Sequence, residues 1–301
     1  MVSKSYVWLD GKMVLRDSAV FDVLTHSLQY GSGVFEGIRS YKTNEGVAVF
    51  RLKEHMERFL RSAKIYNMEL GYSLEELEDG AISVIKKNKL TQSYIRPFAF
   101  YNDNKIGLDV TGKKISVAIA AVEFGSYFSG KDKGIKCIVS SWRRINSQIL
   151  PVQAKASGNY LNSIIASSEA KARGADEAIM LSINGYVAEG PGENIFLVKD
   201  NELILPSEES DILLGITRDA IIKIAQSKGI IVKERLVHRE ELYTADELFF
   251  AGTAAEITPI TYVDNKKIGS GHVGPFTKML SDAYSEVVSG KNREFDWITL
   301  L

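Results

Sequence analysis

The stretch Gln153-Ala-Lys-Ala-Ser-Gly-Asn-Tyr160 sets one lysine among small residues, leaving free space around a long cationic stem. A solvated lysine needs no such neighbours, whereas an amine that must reach a bulky partner does. Three other stretches add groups of the right kind. Glu189 lies where a predicted strand, 186–189, enters Gly-Pro-Gly, a turn that lets carboxylate and backbone approach a planar ligand closely. Leu214-Gly-Ile-Thr-Arg-Asp219 opens a predicted helix, so the amides of Ile216 and Thr217 point forward as an anion site. Ala251-Gly-Thr-Ala-Ala-Glu256 follows another strand and offers the Thr253 hydroxyl and unshielded amides. Together these meet the needs of pyridoxal 5′-phosphate: a lysine for its Schiff base, a carboxylate that keeps its pyridine nitrogen protonated as an electron sink, and an anion cradle for its phosphate. Tyr160, five residues past Lys155, can face the ring's phenolic oxygen. Taken singly, each residue has a plainer reading: a solvated lysine, a turn carboxylate, a helix cap at Thr217, a core tyrosine, a turn hydroxyl at Thr253. Their order within one predicted domain is what speaks for chemistry.

The elements that must position these groups follow from pattern and turn chemistry. Asp10-Gly11 between two short apolar runs predicts a hairpin, because the pair tolerates positive φ. Strands are predicted at 34–40, 47–51, 93–101 and 115–122, with helices at 53–67 and 73–87; Ser73 and Glu76 stand at capping-box spacing. Residues 124–134 then concentrate glycine, serine and charge between apolar strands, which predicts a domain of residues 1–123, an interdomain loop, and a second domain of 135–301. The second part reads as a strand at 135–142, a helix at 159–172, paired strands at 177–183 with 186–189 and at 195–198 with 203–205, helices at 217–228 and 275–289, and strands at 230–234, 248–251 and 258–263. Hairpins are too frequent for a uniformly alternating parallel sheet, so the class is α+β.

Other chemistries find no support. The Gly31-Ser-Gly-Val-Phe-Glu-Gly37 run has Glu36 where a dinucleotide fingerprint needs its third glycine, and it reads as a bent backbone approaching a ligand or another chain. Four histidines, at 26, 55, 238 and 272, lack metal-ligand spacing, so no metal site is expected. No Gly-x-Ser-x-Gly elbow occurs. With 37 basic and 38 acidic residues, the chain has no electrostatic footprint for nucleic acid or an anionic membrane. The single cysteine, Cys137, sits in a strand-like run that predicts burial, and the opening MVSKSYVWLDGKMV lacks the apolar run of a signal peptide. A cytoplasmic metabolic enzyme is the expectation.

The chain resembles the branched-chain amino acid aminotransferases of the fold type IV class of pyridoxal-phosphate enzymes. The resemblance runs through Tyr30-Gly31, Val34-Phe-Glu-Gly-Ile-Arg39, Glu54-His-Met-Glu-Arg58, Tyr94-Ile-Arg-Pro97, Ser140-Ser-Trp142, and residues 155–160, 189–196, 215–219 and 252–259. It implies a D-amino acid aminotransferase-like fold, with a small N-terminal α/β domain and a larger, β-barrel-like C-terminal domain. It further implies that Lys155 carries the cofactor, that Glu189 pairs with the pyridine nitrogen, that Tyr160 bonds the ring oxygen, and that Arg58, the amides of Ile216 and Thr217, and Thr253 hold the phosphate. Phe35, Tyr94 and Tyr127 then resemble the apolar pocket wall, with Tyr30 crossing from a second copy in a homodimer or larger assembly. The amides of Thr253 and Ala254 and the Tyr94 hydroxyl take the α-carboxylate, and Arg96 helps the pocket accept the second carboxylate of glutamate. Phe124 departs from the family, standing where tryptophan is common. The implied reaction is transamination between L-leucine, L-isoleucine or L-valine and 2-oxoglutarate. A D-amino acid aminotransferase or aminodeoxychorismate lyase would share Lys155 and Glu189, and a non-catalytic metabolite-binding protein is the reading from another class.

Overall fold

A computed structural model describes residues 5–125, 127–128 and 133–301. Part of the expected interdomain loop, residues 126 and 129–132, lies outside them. By its internal contacts the chain divides into two compact units: Met1–Gly125 with Ala154–Gly158 and Val287–Leu301, and Ser126–Gln153 with Asn159–Glu286. By contacts, segments 154–158 and 287–301 group with the N-terminal part of the chain.

The first unit begins with β1 (Tyr6–Leu9), β2 (Lys12–Leu15), α1 (His26–Tyr30), β3 (Gly33–Phe35), β4 (Ile38–Thr43), β5 (Gly46–Phe50), α2 (Leu52–Ile65), α3 (Leu74–Asn88), β6 (Ser93–Tyr101) and β7 (Ile115–Glu123). The β1–β2 hairpin closes at Asp10 and Gly11, both with positive φ, as a tight primed turn requires. Ser73 caps α3 in a complete capping box with Glu76. β6 pairs with β7 along its whole length, Ser93 opposite Glu123 through Tyr101 opposite Ile115. Against this sheet α2 and α3 bury Met56, Phe59, Leu77 and Val84.

The strand expected at 34–40 is broken at Glu36 and Gly37. Pro97, on the facing strand, has no N–H to give, so the ladder is interrupted between Phe35–Phe98 and Ile38–Ile95. Glu36 N still donates to Pro97 O at 2.9 Å, and the Glu36 side chain turns inward.

The second unit carries β8 (Ile135–Arg143), α4 (Tyr160–Ala172), β9 (Glu177–Leu181), β10 (Asn194–Lys199), β11 (Glu202–Pro206), α5 (Ile216–Ser227), β12 (Val232–Arg235), α6 (Glu241–Thr244), β13 (Glu247–Gly252), β14 (Glu256–Val263) and β15 (Lys266–Lys267). Its sheet runs β12-β11-β10-β13-β14-β8-β9, with parallel pairings at β11–β12, β14–β8 and β8–β9 among antiparallel ones. Residues 186–189 form single bridges, Leu181 with Val187 and Glu189 with Asn194, in place of the strand expected there. Cys137 is buried on β8, where burial, reinforced by Glu177, pushes its thiol well above the ordinary range. After α7 (Pro275–Val288), the last strand, β16 (Ile298–Leu300), pairs with β5, which is why the chain end groups with the first unit. No helix among the described residues is long and apolar enough to cross a membrane.

Residues 154–158 join the first unit through backbone pairing. Val34 bridges Ala156, and Ala156 is buried in that unit's core. At Gly31, where φ is +68°, an added Cβ would stand 3.3 Å from Gly158 Cα. Gly31→Val puts a β-branched residue in the left-handed region against that backbone and should cost roughly 1–2 kcal/mol. Urea unfolding reads the loss; an unchanged midpoint would mean that residue 31 is not held in the left-handed region against Gly158.

Candidate active site

Lys155 is pinned at both backbone polar groups. Its N–H donates to Ser62 Oγ on α2 at 3.0 Å, and its C=O accepts from Phe35 N at 2.9 Å. The ammonium stands 5.2 Å from the centre of the Phe35 ring, and the Arg96 guanidinium lies 4.5 Å from the same ring. Arg96 Nη2 donates to the Tyr94 hydroxyl at 3.3 Å. Glycine at 37 leaves that hydroxyl in place, because a Cβ there would push the end of the Tyr94 side chain aside. Phe35, Tyr94, Arg96 and Lys155 are thus brought together. By contacts Lys155 groups with the first unit, through the pairing with 34–35, while Glu189 lies in the second.

Arg58 is buried on α2 and meets the inward carboxylate of Glu36 in a two-pronged ion pair, Nε to Oε1 at 2.6 Å and Nη2 to Oε2 at 3.0 Å. His55, one turn earlier, reaches Glu36 Oε2 from Nδ1 at 2.7 Å, and the Gly37 amide donates to the same oxygen at 3.1 Å. Burial opposes the charge of Glu36, yet Arg58 and His55 outweigh it and hold the carboxyl well below the usual range. Burial also dominates at His55 and pushes its imidazole below the ordinary value, although Glu36 pulls the other way. A neutral ring facing a carboxylate donates from Nδ1.

In the second unit Glu189 is buried, and its carboxylate is built into a set of donors. Arg144 Nε donates to Oε1 at 2.7 Å, Asn194 Nδ2 donates to Oε2 at 3.0 Å, and the Leu213 amide lies 3.2–3.3 Å from the two oxygens. Every partner is a donor, the set that suits a carboxylate accepting at both oxygens. Asn194 also donates to Leu213 O at 2.9 Å, tying Glu189 to the segment that leads into α5. Gly215 caps that helix, and a side chain there would collide with Asn194. In its first turn Thr217 is 2% exposed, and its hydroxyl has no hydrogen-bond partner among the described residues. An orphaned buried hydroxyl at a helix N-terminus suits an anionic oxygen, so these residues fit a phosphate-bearing cofactor.

Thr253 and Ala254 form the turn between β13 and β14, and Gly252 lets that turn approach the Gly192 carbonyl. Tyr160 opens α4. Tyr30 ends α1 half-exposed, with its hydroxyl accepting from the Gly107 amide at 3.2 Å. Tyr127 is exposed, edge-on to Phe128. No group of three or more histidine, cysteine, aspartate or glutamate side chains among the described residues is placed to hold a metal.

The fold and these two clusters coincide with one class of protein. A family model described as amino-transferase class IV matches residues 33–263, and the chain belongs to that family. A relative from Salmonella typhimurium, a branched-chain-amino-acid aminotransferase, is 46% identical over 97% of this chain and 96% of its own length. The branched-chain aminotransferase of Thermoproteus uzoniensis, solved with norvaline, superposes with a TM-score of 0.94 at 48% identity, covering 98% of this chain and 99% of that one. The branched-chain amino acid aminotransferase of Escherichia coli superposes with a TM-score of 0.96 at 45% identity, covering 98% of each chain. Within its class the chain falls among the branched-chain-amino-acid aminotransferases.

Sequence reasoning missed Glu36, Ser62, Arg144 and Asn194. One signal was available for Glu36, a lone acid in a glycine-rich apolar run that must be paired if buried. For Arg144 the only cue was an arginine pair at a strand end.

The lowered imidazole of His55 gives a sign for stability against pH. Unfolded, this histidine protonates near its ordinary 6.5, whereas folded it resists, so its contribution is present above that pH and is lost as pH falls. Glu36, also lowered, adds acid sensitivity only below about pH 4.5. His55→Gln should make the fall in unfolding free energy from about pH 7 to about pH 5 shallower by up to about 1.4 kcal/mol per pH unit, read by urea unfolding. Parallel curves for the two proteins would rule out a neutral buried His55.

Proposed function

We propose that the chain transfers the amino group reversibly between L-leucine, L-isoleucine or L-valine and 2-oxoglutarate, with pyridoxal 5′-phosphate attached at Lys155. The observation that carries this reading is the near full-length similarity to branched-chain-amino-acid aminotransferases. Two further solved structures of a branched-chain amino acid aminotransferase, 42% identical to this chain, hold pyridoxamine 5′-phosphate and N-(5′-phosphopyridoxyl)-L-glutamate, which supports the cofactor and glutamate as a substrate. When bound, the cofactor supplies the electron sink that stabilises the charge left at the substrate Cα when its proton departs.

The residues of the chain do the rest. Lys155, once its amine is released by the incoming amino acid, takes the Cα proton as a general base and returns it on the other side of the transfer. Glu189 holds a proton at the pyridine nitrogen, and Arg144 and Asn194 donate to its carboxylate and orient it, so this electrostatic help is in place before reaction. Arg58, Thr253, the amides of Ile216 and Thr217, and the Thr217 hydroxyl hold the phosphate, while Tyr160 bonds the ring oxygen. Phe35, Tyr94 and Tyr127 wall the substrate side chain, and Thr253, Ala254 and the Tyr94 hydroxyl bind the α-carboxylate. Arg96, stacked on Phe35, presents an apolar face to a branched chain and its N–H edge to the second carboxylate of 2-oxoglutarate.

In the fold type IV arrangement, a small domain near 1–123 walls the substrate and a larger, barrel-like domain from 135 onward holds the cofactor, with 124–134 between them. The chain works as a homodimer or larger assembly in the cytoplasm, with Tyr30 reaching a second copy. Val20, Val23, Leu28, Ile106 and Leu108 support this, being large apolar side chains left exposed in the first unit around α1 and the loop it binds.

The test is the visible absorption band of the cofactor-loaded protein. L-Leucine should bleach it and 2-oxoglutarate restore it, with D-leucine inert; a band that ignores L-leucine but answers D-amino acids would overturn the substrate assignment. Lys155→Ala should lower kcat by roughly 10⁴-fold or more while some cofactor still binds. For Glu189→Gln, weaker cofactor binding and a kcat loss of roughly 10²-fold or more are expected; a near-normal rate would mean that another group protonates the ring.

A further inference from the structure

We infer that Glu36 is a positioning residue for cofactor binding: it sets the plane of the Arg58 guanidinium and thereby the grip on the phosphate, an inference that rests on the reading of Arg58 above. Glu36 is 0% exposed, and its two oxygens collect Arg58 Nε, Arg58 Nη2, His55 Nδ1 and the Gly37 amide at 2.6–3.1 Å. A buried carboxylate is costly unless every acceptor site is used, and neutralising one arginine does not need a second prong, a histidine and an amide. What this geometry adds is direction, because a guanidinium held by Nε and Nη2 cannot rotate about its stem.

The location of Glu36 makes that direction matter. It follows Phe35, whose amide holds the Lys155 carbonyl, and it grips α2 at Arg58, one turn before Ser62, whose hydroxyl holds the Lys155 amide. Strand break, helix and lysine segment therefore meet at one carboxylate. Fixing Arg58 there fixes the phosphate grip relative to the amine that the cofactor must reach. Glutamine at 36 keeps the volume but cannot accept both prongs and the histidine, so Arg58 would keep its charge and lose its aim.

The test uses full-length apoprotein titrated separately with pyridoxal 5′-phosphate and with pyridoxal, which lacks the phosphate, following tryptophan fluorescence. The readout is the ratio of the two dissociation constants, because a merely structural loss weakens both ligands together. Glu36→Gln should reduce the preference for the phosphorylated ligand by at least about tenfold, the worth of one charged hydrogen bond. Glu36→Asp, which keeps the charge but withdraws it by one methylene, should fall between that variant and wild type, and it carries the test alone if the glutamine variant does not fold. A wild-type ratio in a folded Glu36 variant overturns the inference. Arg58→Gln separates the two levels: if it too keeps the wild-type ratio, the phosphate role of Arg58 fails, whereas if it loses the preference and the Glu36 variants do not, only the role of Glu36 fails.

Discussion

The structure depends on one backbone pairing between remote segments, 34–35 with 155–156. A lysine side chain carries about 2 kcal/mol of rotamer entropy, and its small neighbours cannot restrain it. Restraint comes from the main chain: the Phe35 amide and the Ser62 hydroxyl hold both polar groups of Lys155, and the Phe35 ring faces its ammonium. Small residues are then a requirement, since Ala156 enters the core and Gly158 lies against Gly31. The free space that the sequence leaves around the lysine stem is also the space that lets its backbone dock.

Each unit contains a buried carboxylate paired to an arginine, and the two pairs do different work. Glu36 serves the arginine, gripping it by two nitrogens so that the guanidinium is oriented. At Glu189 the relation is reversed: Arg144, Asn194 and the Leu213 amide serve the acid, donating to both of its oxygens in a buried setting. Removing one partner from such a pair strands a charge, which is why positions of this kind tolerate little change. Cys137 marks the contrast, a nucleophile by type that burial keeps protonated and inert.

In the proposed reaction one pocket accepts both an aliphatic and an acidic side chain, and the stacking in the first unit offers a way to do so. Arg96 lies over Phe35 within reach of the Tyr94 hydroxyl, and Gly37 leaves room for that hydroxyl. A planar, weakly hydrated cation on an aromatic ring costs an aliphatic group less to approach than a lysine ammonium would, while its edge still pairs with a carboxylate. In the proposed reaction this lets one pocket serve leucine and 2-oxoglutarate in turn.

Residue order alone revealed short-range features. The Asp10-Gly11 turn, the Ser73–Glu76 capping box, the strand at 93–101 and the helix starts after Gly215 and at Pro275 were legible because each rests on neighbours within a few residues. Lys155 and the Glu189 turn stood out for the same reason, through small residues and glycines beside them. The tertiary structure alone decided which charges meet, since Arg58 finds Glu36 22 positions away, Arg144 finds Glu189 across 45, and the Lys155 amide finds Ser62 across 93. It also broke the strand at Glu36, where the missing donor belongs to Pro97 on another strand, and it grouped the lysine by contacts with the first unit. Periodicity and turn chemistry report backbone preferences at short range, whereas the partner of a buried charge is chosen by whichever element the fold brings alongside it.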